Sequence, residues 1–103
     1  MVTFEYNNEE RAVKVIFIGR MDYLASGELN EIIHSEPLMK NRNAEDSIIF
    51  DIGGVEYIAS SFIRICVIYA KLAGKGKFSI VNCQPLVKKT FKISGLDEML
   101  NIS

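Results

Sequence analysis

The sequence predicts a single α/β domain with a mostly parallel four-stranded sheet, an antiparallel strand at the N-terminal edge, and helices mainly on one face. The length of 103 residues fits one domain, and the hydrophobic fraction of 49% is enough for a buried core. Two strand patterns come first. Helix and strand patterns then alternate in the order ββαβαβα, with a further short helix or edge strand at the end. This alternation favours parallel strands joined by right-handed crossovers.

The first half of the chain is predicted to form two antiparallel strands and a helix. Val2–Tyr6 alternates apolar and polar residues, and Ala12–Ile18 is rich in β-branched and aromatic residues. Gly19–Met21 is expected to leave the sheet. Asp22 is a predicted N-cap, because its carboxylate can accept hydrogen bonds from the first-turn N–H groups. Pro37 is predicted to end this helix.

A buried strand and a buried helix form the middle of the chain. Ser47–Ile52 predicts the strand, and Gly53–Gly54 permits a sharp exit from it. The helix is predicted from about Ser60 to Ala73, with apolar residues such as Ile68 and Leu72 around most of its surface.

The last strand and helix are predicted from Phe78–Cys83 and from the segment that Pro85 opens. Proline suits the first position of a helix, where its missing N–H costs nothing. Gly95 is the expected left-handed residue at the end of this helix. Three apolar residues of the helix are expected to face the core: Leu86, Val87 and Phe91.

Composition excludes several function classes. Twelve basic and thirteen acidic residues give a net charge of −1, which argues against a general nucleic-acid or membrane-surface binder but leaves a local basic patch open. No segment has the apolar length needed to insert into and span a bilayer, and the N-terminus lacks a signal-peptide pattern. A cytoplasmic location is therefore the default expectation.

Enzyme and metal chemistry lack the residues they need. Cys66 and Cys83 are expected to be reduced thiols, and His34 is the only histidine, so no metal site is predicted. A serine nucleophile would have no base, because His34 falls near the far end of the first helix. No phosphate-binding glycine motif occurs. We expect no enzyme activity, no cofactor and no metal.

The topology nevertheless predicts where a binding site lies. Ligands and partners of parallel sheets bind beyond the carboxyl ends of the strands. Three predicted loops end there, and they carry Asp22, Gly53–Ser61 and Asn82–Pro85. Ser60 opens a helix, where backbone N–H groups are unpaired and the helix dipole is positive. We expect these three loops to converge on one surface.

The segment Ile48–Leu100 resembles the STAS domains, and among them the bacterial anti-sigma factor antagonists. Gly19–Asp22 likewise resembles the Gly-x-Leu-Asp that precedes the family's first helix, so a single STAS domain over residues 1–103 is implied. The residues that carry the resemblance follow in order: Val55, Ile58, Ser60, Ser61, Gly76, Asn82, Pro85, Val87 and Ser94–Leu96.

The resemblance implies a protein-binding module in a partner-switching circuit for transcription or stress signalling. In that family, an anti-sigma factor that is also a serine kinase of histidine-kinase-like ATPase fold phosphorylates the serine that follows an aspartate. The unmodified antagonist binds this anti-sigma factor and frees the sigma factor, and phosphorylation breaks the contact. Ser60 occupies the matching position. A homodimer is also compatible with the sequence.

Two residues depart from the family pattern Asp-Ser-Ser/Thr-Gly-Leu. Ala59 removes the carboxylate beside the serine, and Phe62 replaces a glycine. The Phe62 ring is expected either to block a kinase or to anchor a different partner. Arg64 could pair with a phosphate or simply be solvated. Ser60 itself is expected to be the N-cap of its helix.

The expected partner surface therefore surrounds Ser60 as the phosphorylation site. An alternative is a STAS scaffold or accessory subunit that acts without phosphorylation, in a stress-signalling assembly or with a lipid-transport ATPase. Ala59 and Phe62 favour that alternative. The expected partner-binding residues are Asp22, Ala59, Ser61, Phe62, Arg64 and Asn82.

Overall fold

The computed structural model describes residues 1–103 and contains four strands and four helices. The strands lie in the order β1-β2-β3-β4, with β1 antiparallel to β2 and the other pairs parallel. The predicted α/β class and the antiparallel N-terminal edge strand are confirmed. In chain order the elements are β1 Val2–Asn7, β2 Ala12–Met21, α1 Tyr23–Ser35, α2 Pro37–Lys40, β3 Ser47–Ile58, α3 Ser60–Ala73, β4 Phe78–Val81 and α4 Pro85–Ser94.

The core lies between one face of the sheet and the helices. Along β3, Ile48, Phe50 and Ile52 are fully buried, whereas Ile49 and Asp51 between them are only partly buried. Side chains alternate between the two faces of a strand, so one face of the sheet is covered and the other is open. α1, α3 and α4 each contribute residues to the same cluster of 23 buried apolar side chains.

β2 and β3 extend further than the sequence pattern predicts. Met21 pairs with Ile58, so neither Gly19–Met21 nor Gly53–Gly54 leaves the sheet. The pairing register shifts twice, between Ile16 and Ile18 and between Ile18 and Arg20, and at each shift β3 has one residue more than β2. A Cβ at Gly54 would lie 3.1 Å from Cγ1 of Ile18, so this glycine permits the close approach of β2 and is not needed for a turn.

β4 is shorter than predicted. Its pairing with β3 ends where Val81 lies beside Asp51, and Cys83 lies outside the strand. The C-terminal segment covers the outer edge of β4 through one parallel bridge between Ile80 and Ile102. The segment forms neither the short helix nor the edge strand that were predicted: it is a turn followed by one isolated bridge.

The helices differ from prediction at three points. Pro37 ends α1 by opening the short helix α2, whose first turn is capped by the Glu36 carboxylate. Leu86 was predicted to face the core, but it is 77% exposed. Ile68 and Leu72 of α3 are also exposed, because α3 buries only the stripe that faces the sheet and α1. None of the helices combines the length and the apolarity needed to cross a bilayer.

Phe62 should be essential for stability. Replacing Phe62, which is fully buried, with alanine removes a core ring and leaves a cavity, so the free energy of unfolding should fall by about 3–5 kcal/mol. Denaturant unfolding measures this change. Leu86→Ala is the control and should alter stability by less than about 0.5 kcal/mol, because that side chain is solvated. Equal losses in the two variants would contradict the burial described here.

Candidate partner-binding site

The first turn of α3 begins one residue earlier than a cap at Ser60 would require. Ala59 is the N-cap, with extended φ −95° and ψ 165°, and its carbonyl accepts hydrogen bonds from the N–H groups of Phe62 and Ile63 at 3.0 and 3.3 Å. The prediction that Ser60 caps the helix is wrong, because Ser60 is the first helical residue. Alanine offers no side-chain acceptor, so no side chain caps this turn.

Asp22 lies beside this helix start. Met21 and Ile58 are paired at the ends of β2 and β3, and the N–H of Ala59 donates to the Met21 carbonyl at 2.9 Å. Asp22 is the N-cap of α1, as predicted, and its Oδ1 accepts from the Ala25 N–H at 3.0 Å. Two helices therefore begin next to each other at this edge of the sheet, one capped by a carboxylate and the other uncapped.

Asn82 does not join them, and the predicted convergence of three loops is found only in part. Asn82 and Gln84 meet Gly53, whose carbonyl accepts from the Gln84 side-chain amide at 2.9 Å, but they do not meet the start of α3. Asn82 follows β4, which ends beside Asp51, and its side-chain amide donates to the Asp51 carboxylate at 3.1 Å. β3 continues seven residues further, to Ile58, which is about 20 Å at the rise of a strand. Parallel strands bring their carboxyl ends together only when they end at the same level, and β3 and β4 do not.

The three residues that open α3 point in different directions. Ser60 is exposed, whereas the Ser61 hydroxyl is buried and has no hydrogen-bond partner. Phe62 is fully buried, and its ring meets the Phe17 ring edge-to-face at 5.2 Å. Phe62 therefore has no surface to offer to a partner. Its expected role as an anchor or a barrier on the surface is corrected: the ring belongs to the core.

A groove runs beside Ser61 between α1 and α3. Tyr23 and Leu24 at its rim are 76% and 78% exposed, so two large side chains lie next to each other in solvent. Their exposure could be predicted from the sequence, because both residues follow the Asp22 cap and fall outside the apolar stripe of α1 that is buried. We call this the α1–α3 groove; it has a volume of about 430 Å³ and is lined by Tyr23, Leu24, Ser26, Gly27, Glu28, Asn30, Ser61, Arg64, Ile65 and Ile68.

The groove provides apolar contact, hydrogen bonding and one cation. Arg64 is exposed, lies one turn after Ser60, and takes part in neither of the two ion pairs of the structure.

No group of three or more histidine, cysteine or acidic side chains could hold a metal ion. Cys66 lies on the buried face of α3, and burial raises the pKa of its thiol, which makes the reactive thiolate scarce. The apolar, polar and cationic side chains of the α1–α3 groove suit recognition of another molecule's surface.

The family follows from the match of the sequence to a domain model. The STAS domain model matches residues 5–103. The chain belongs to the STAS family. No curated protein matches the chain by sequence.

Solved structures share the fold of this STAS domain at low sequence identity. An anti-sigma factor antagonist (STAS) domain protein from Planctomyces limnophilus is 16% identical, with a TM-score of 0.82 over 99% of this chain and 87% of its own. An anti-sigma factor antagonist from Mycobacterium paratuberculosis is 18% identical, with a TM-score of 0.77 over 99% and 85%. The unphosphorylated form of the anti-sigma factor antagonist SpoIIAA is 15% identical, with a TM-score of 0.65 over 90% and 83%.

Restoring a carboxylate at the start of α3 should stabilise the protein. Ala59→Asp supplies an acceptor for first-turn N–H groups that have no side-chain cap, so the free energy of unfolding at pH 7 should rise by about 0.5–2 kcal/mol. Thermal or denaturant unfolding measures it. Ser60→Ala is the control and should be nearly neutral, because Ser60 is not the cap. A larger loss from Ser60→Ala than the gain from Ala59→Asp would show that the cap is misassigned.

Proposed function

We propose that this STAS domain is an anti-sigma factor antagonist-like module, which binds a partner protein through the edge where α1 and α3 begin. The observation that carries the proposal is Ser60, which is exposed at an uncapped helix start. The next residue, Ser61, lines the α1–α3 groove together with the exposed side chains of Tyr23 and Leu24. Exposed apolar residues beside a polar, regulatable group are typical of a protein interface. Asp22, Ala59, Ser61 and Arg64 complete this surface.

The proposed partner is an anti-sigma factor that is also a serine kinase of histidine-kinase-like ATPase fold. Two lines support it: membership of the STAS family over residues 5–103, and a fold shared with proteins described as anti-sigma factor antagonists. In such a circuit, binding of this protein would free a sigma factor in the cytoplasm. Asn82 is remote from Ser60 and would contact a partner only through a second surface.

Phosphorylation of Ser60 is the proposed regulation. A structure of SpoIIAA in a phosphorylated form shares this fold at 16% identity. The kinase would supply ATP and the base that accepts the hydroxyl proton, because His34, the only histidine, lies in the last turn of α1. The Ser60 hydroxyl would attack the γ-phosphorus, and ADP would leave.

A phosphate at Ser60 would be held where it forms. It adds about −1.5 to −2 charges at neutral pH, and the uncapped first-turn N–H groups and the nearby Arg64 guanidinium favour an anion there. The fold need not change. Binding would be lost because the new charge must be desolvated in the interface and repels acidic groups of the partner.

Charge at Ser60 should decide partner binding. Ser60→Asp should weaken binding to the anti-sigma factor at least tenfold, which corresponds to about 1.4 kcal/mol, whereas Ser60→Ala should bind normally and accept no phosphate. Calorimetry measures the affinities, and intact mass after incubation with the kinase and ATP measures phosphate. Thr3→Asp, which places the same charge on exposed β1, should bind as the wild type does.

The alternative is a STAS scaffold or accessory subunit that is never phosphorylated. Ala59 favours it, because the carboxylate that the family places beside the serine is absent and the helix start is left uncapped. This version predicts that Ser60→Asp and Ser60→Ala assemble equally well with the partner. Unmodified Ser60 after incubation with the kinase, together with unchanged binding of Ser60→Asp, would select the scaffold and reject phosphoregulation.

A further inference from the structure

The small net charge hides a strong separation of charge along the chain. Residues 1–56 contain eleven acidic and five basic residues, whereas residues 57–96 contain seven basic residues and no acidic one. The strands lie in the sheet in chain order, so these two segments also lie side by side in space. α1 and the β1–β2 turn carry mainly acidic residues, and α4 carries only basic ones, with Asp97 and Glu98 following it beside Lys88 and Lys92.

The outward face of α4 combines this positive charge with exposed apolar residues. Leu86 and Ile93 are 77% and 79% exposed, and their spacing of seven residues places them on one stripe. Lys89 lies between them, and Lys92 lies beside Ile93; both lysines are exposed. α4 contains no acidic residue, and neither of these lysines forms an ion pair.

The outward face of α1 has the opposite charge and the same kind of apolar exposure. Leu24 is 78% exposed, and Glu28 and Glu31 follow it on the stripe opposite the buried side chains. Ile32 at the margin of this stripe is 44% exposed. α1 contains no lysine or arginine, and neither glutamate forms an ion pair. The residues of each helix thus present unpaired charges of one sign around exposed apolar residues, whereas Arg20 and Arg64 flank α1, and Asp97 and Glu98 flank α4.

We propose that the α1 face of one copy of this protein packs against the α4 face of a second copy. Glu28 and Glu31 would meet Lys89 and Lys92, and Leu24 would pack near Leu86. Complementary charge around apolar residues supports association and fixes its orientation. A second copy accounts for both faces together, whereas an anionic membrane would account for the α4 face alone.

The proposed contact joins two different surfaces, and this determines the kind of assembly. α1 packs on β2 and α3, whereas α4 packs on β3. Each copy would therefore use α1 toward one neighbour and α4 toward another, which produces open chains or rings and not a closed symmetric dimer. The contact is small, because the ten residues of α4 span about 15 Å. It should be weak and sensitive to salt, which screens exposed charges over about 10 Å at 0.1 M and about 3 Å at 1 M.

The test is the mass of the purified full chain in solution, with no partner protein present. Between about 10 μM and 1 mM, where weak interfaces of this size associate, the average mass at low salt should rise above 11.6 kDa. It should return to that value in 1 M salt. Glu28→Lys with Glu31→Lys, or Lys89→Glu with Lys92→Glu, should each leave only monomers at low salt.

Mixing the two charge-reversed proteins is the decisive step. The α1 face of the first variant is then basic and the α4 face of the second is acidic, so the mixture should associate although each protein alone does not. Two matched controls carry the same changes elsewhere on the surface and should associate as the wild type does. They are Glu9→Lys with Glu10→Lys in the β1–β2 turn, and Lys71→Glu with Lys75→Glu at the end of α3.

Three results would overturn the proposal. One is a wild-type protein that stays monomeric at 1 mM and low salt. Another is that the charge-reversed variants still associate when each is alone, or that their mixture stays monomeric. The third is a monomer that sediments with phosphatidylserine vesicles in a manner that depends on Lys89 and Lys92, which would assign the α4 face to an anionic membrane. None of these results bears on Ser60, so the proposed function can stand or fall separately.

Discussion

The edge-to-face contact between Phe62 and Phe17 determines how the candidate site is presented. Successive helix residues are about 100° apart, so a Phe62 ring that points into the core turns Ser60 outward and Ser61 sideways toward α1. The Phe17 ring in turn packs on Phe50, and Phe50 packs on Phe78. The exposure of one serine is thus set by a run of aromatic rings that crosses the sheet from β2 to β4.

The unequal lengths of β3 and β4 determine which residues can act together. β3 continues to Ile58 with β2 alongside it, and β4 stops beside Asp51. The start of α3 therefore has α1 as its neighbour, and the segment after β4 lies far from it along the direction of the strands. The result is a site made from two helix starts and a groove, in which Asp22 already caps α1 and Ala59 leaves α3 uncapped.

Exposed apolar residues lie on both of the surfaces that we propose bind other proteins. Tyr23 and Leu24 lie at the proposed docking edge, and Leu86 and Ile93 lie on the basic face of α4. Leu24 belongs both to the α1–α3 groove and to the acidic face of α1, so a second copy seated on α1 would limit access to the groove. Self-association and partner binding would then compete. A higher concentration of this protein would leave fewer of its grooves free to bind the partner.

The sequence by itself determined the α/β class, the number and type of the main elements, the Asp22 cap and the family. These depend on local patterns: strand alternation, helical spacing and short polar side chains at helix starts. The glycines of β3 misled the prediction, because a glycine that permits close strand packing looks the same in sequence as one that permits a turn.

Only the tertiary structure decided which stripe of each helix is buried, where β3 and β4 end, and which serine is exposed. Leu86 and Val87 are adjacent apolar residues of α4, yet one is 77% and the other 2% exposed. Asn82 was placed beside Ser60 on topology alone, and the length of β3 separates them. The physical reason is that burial and proximity depend on contacts between distant segments, which local sequence patterns do not encode.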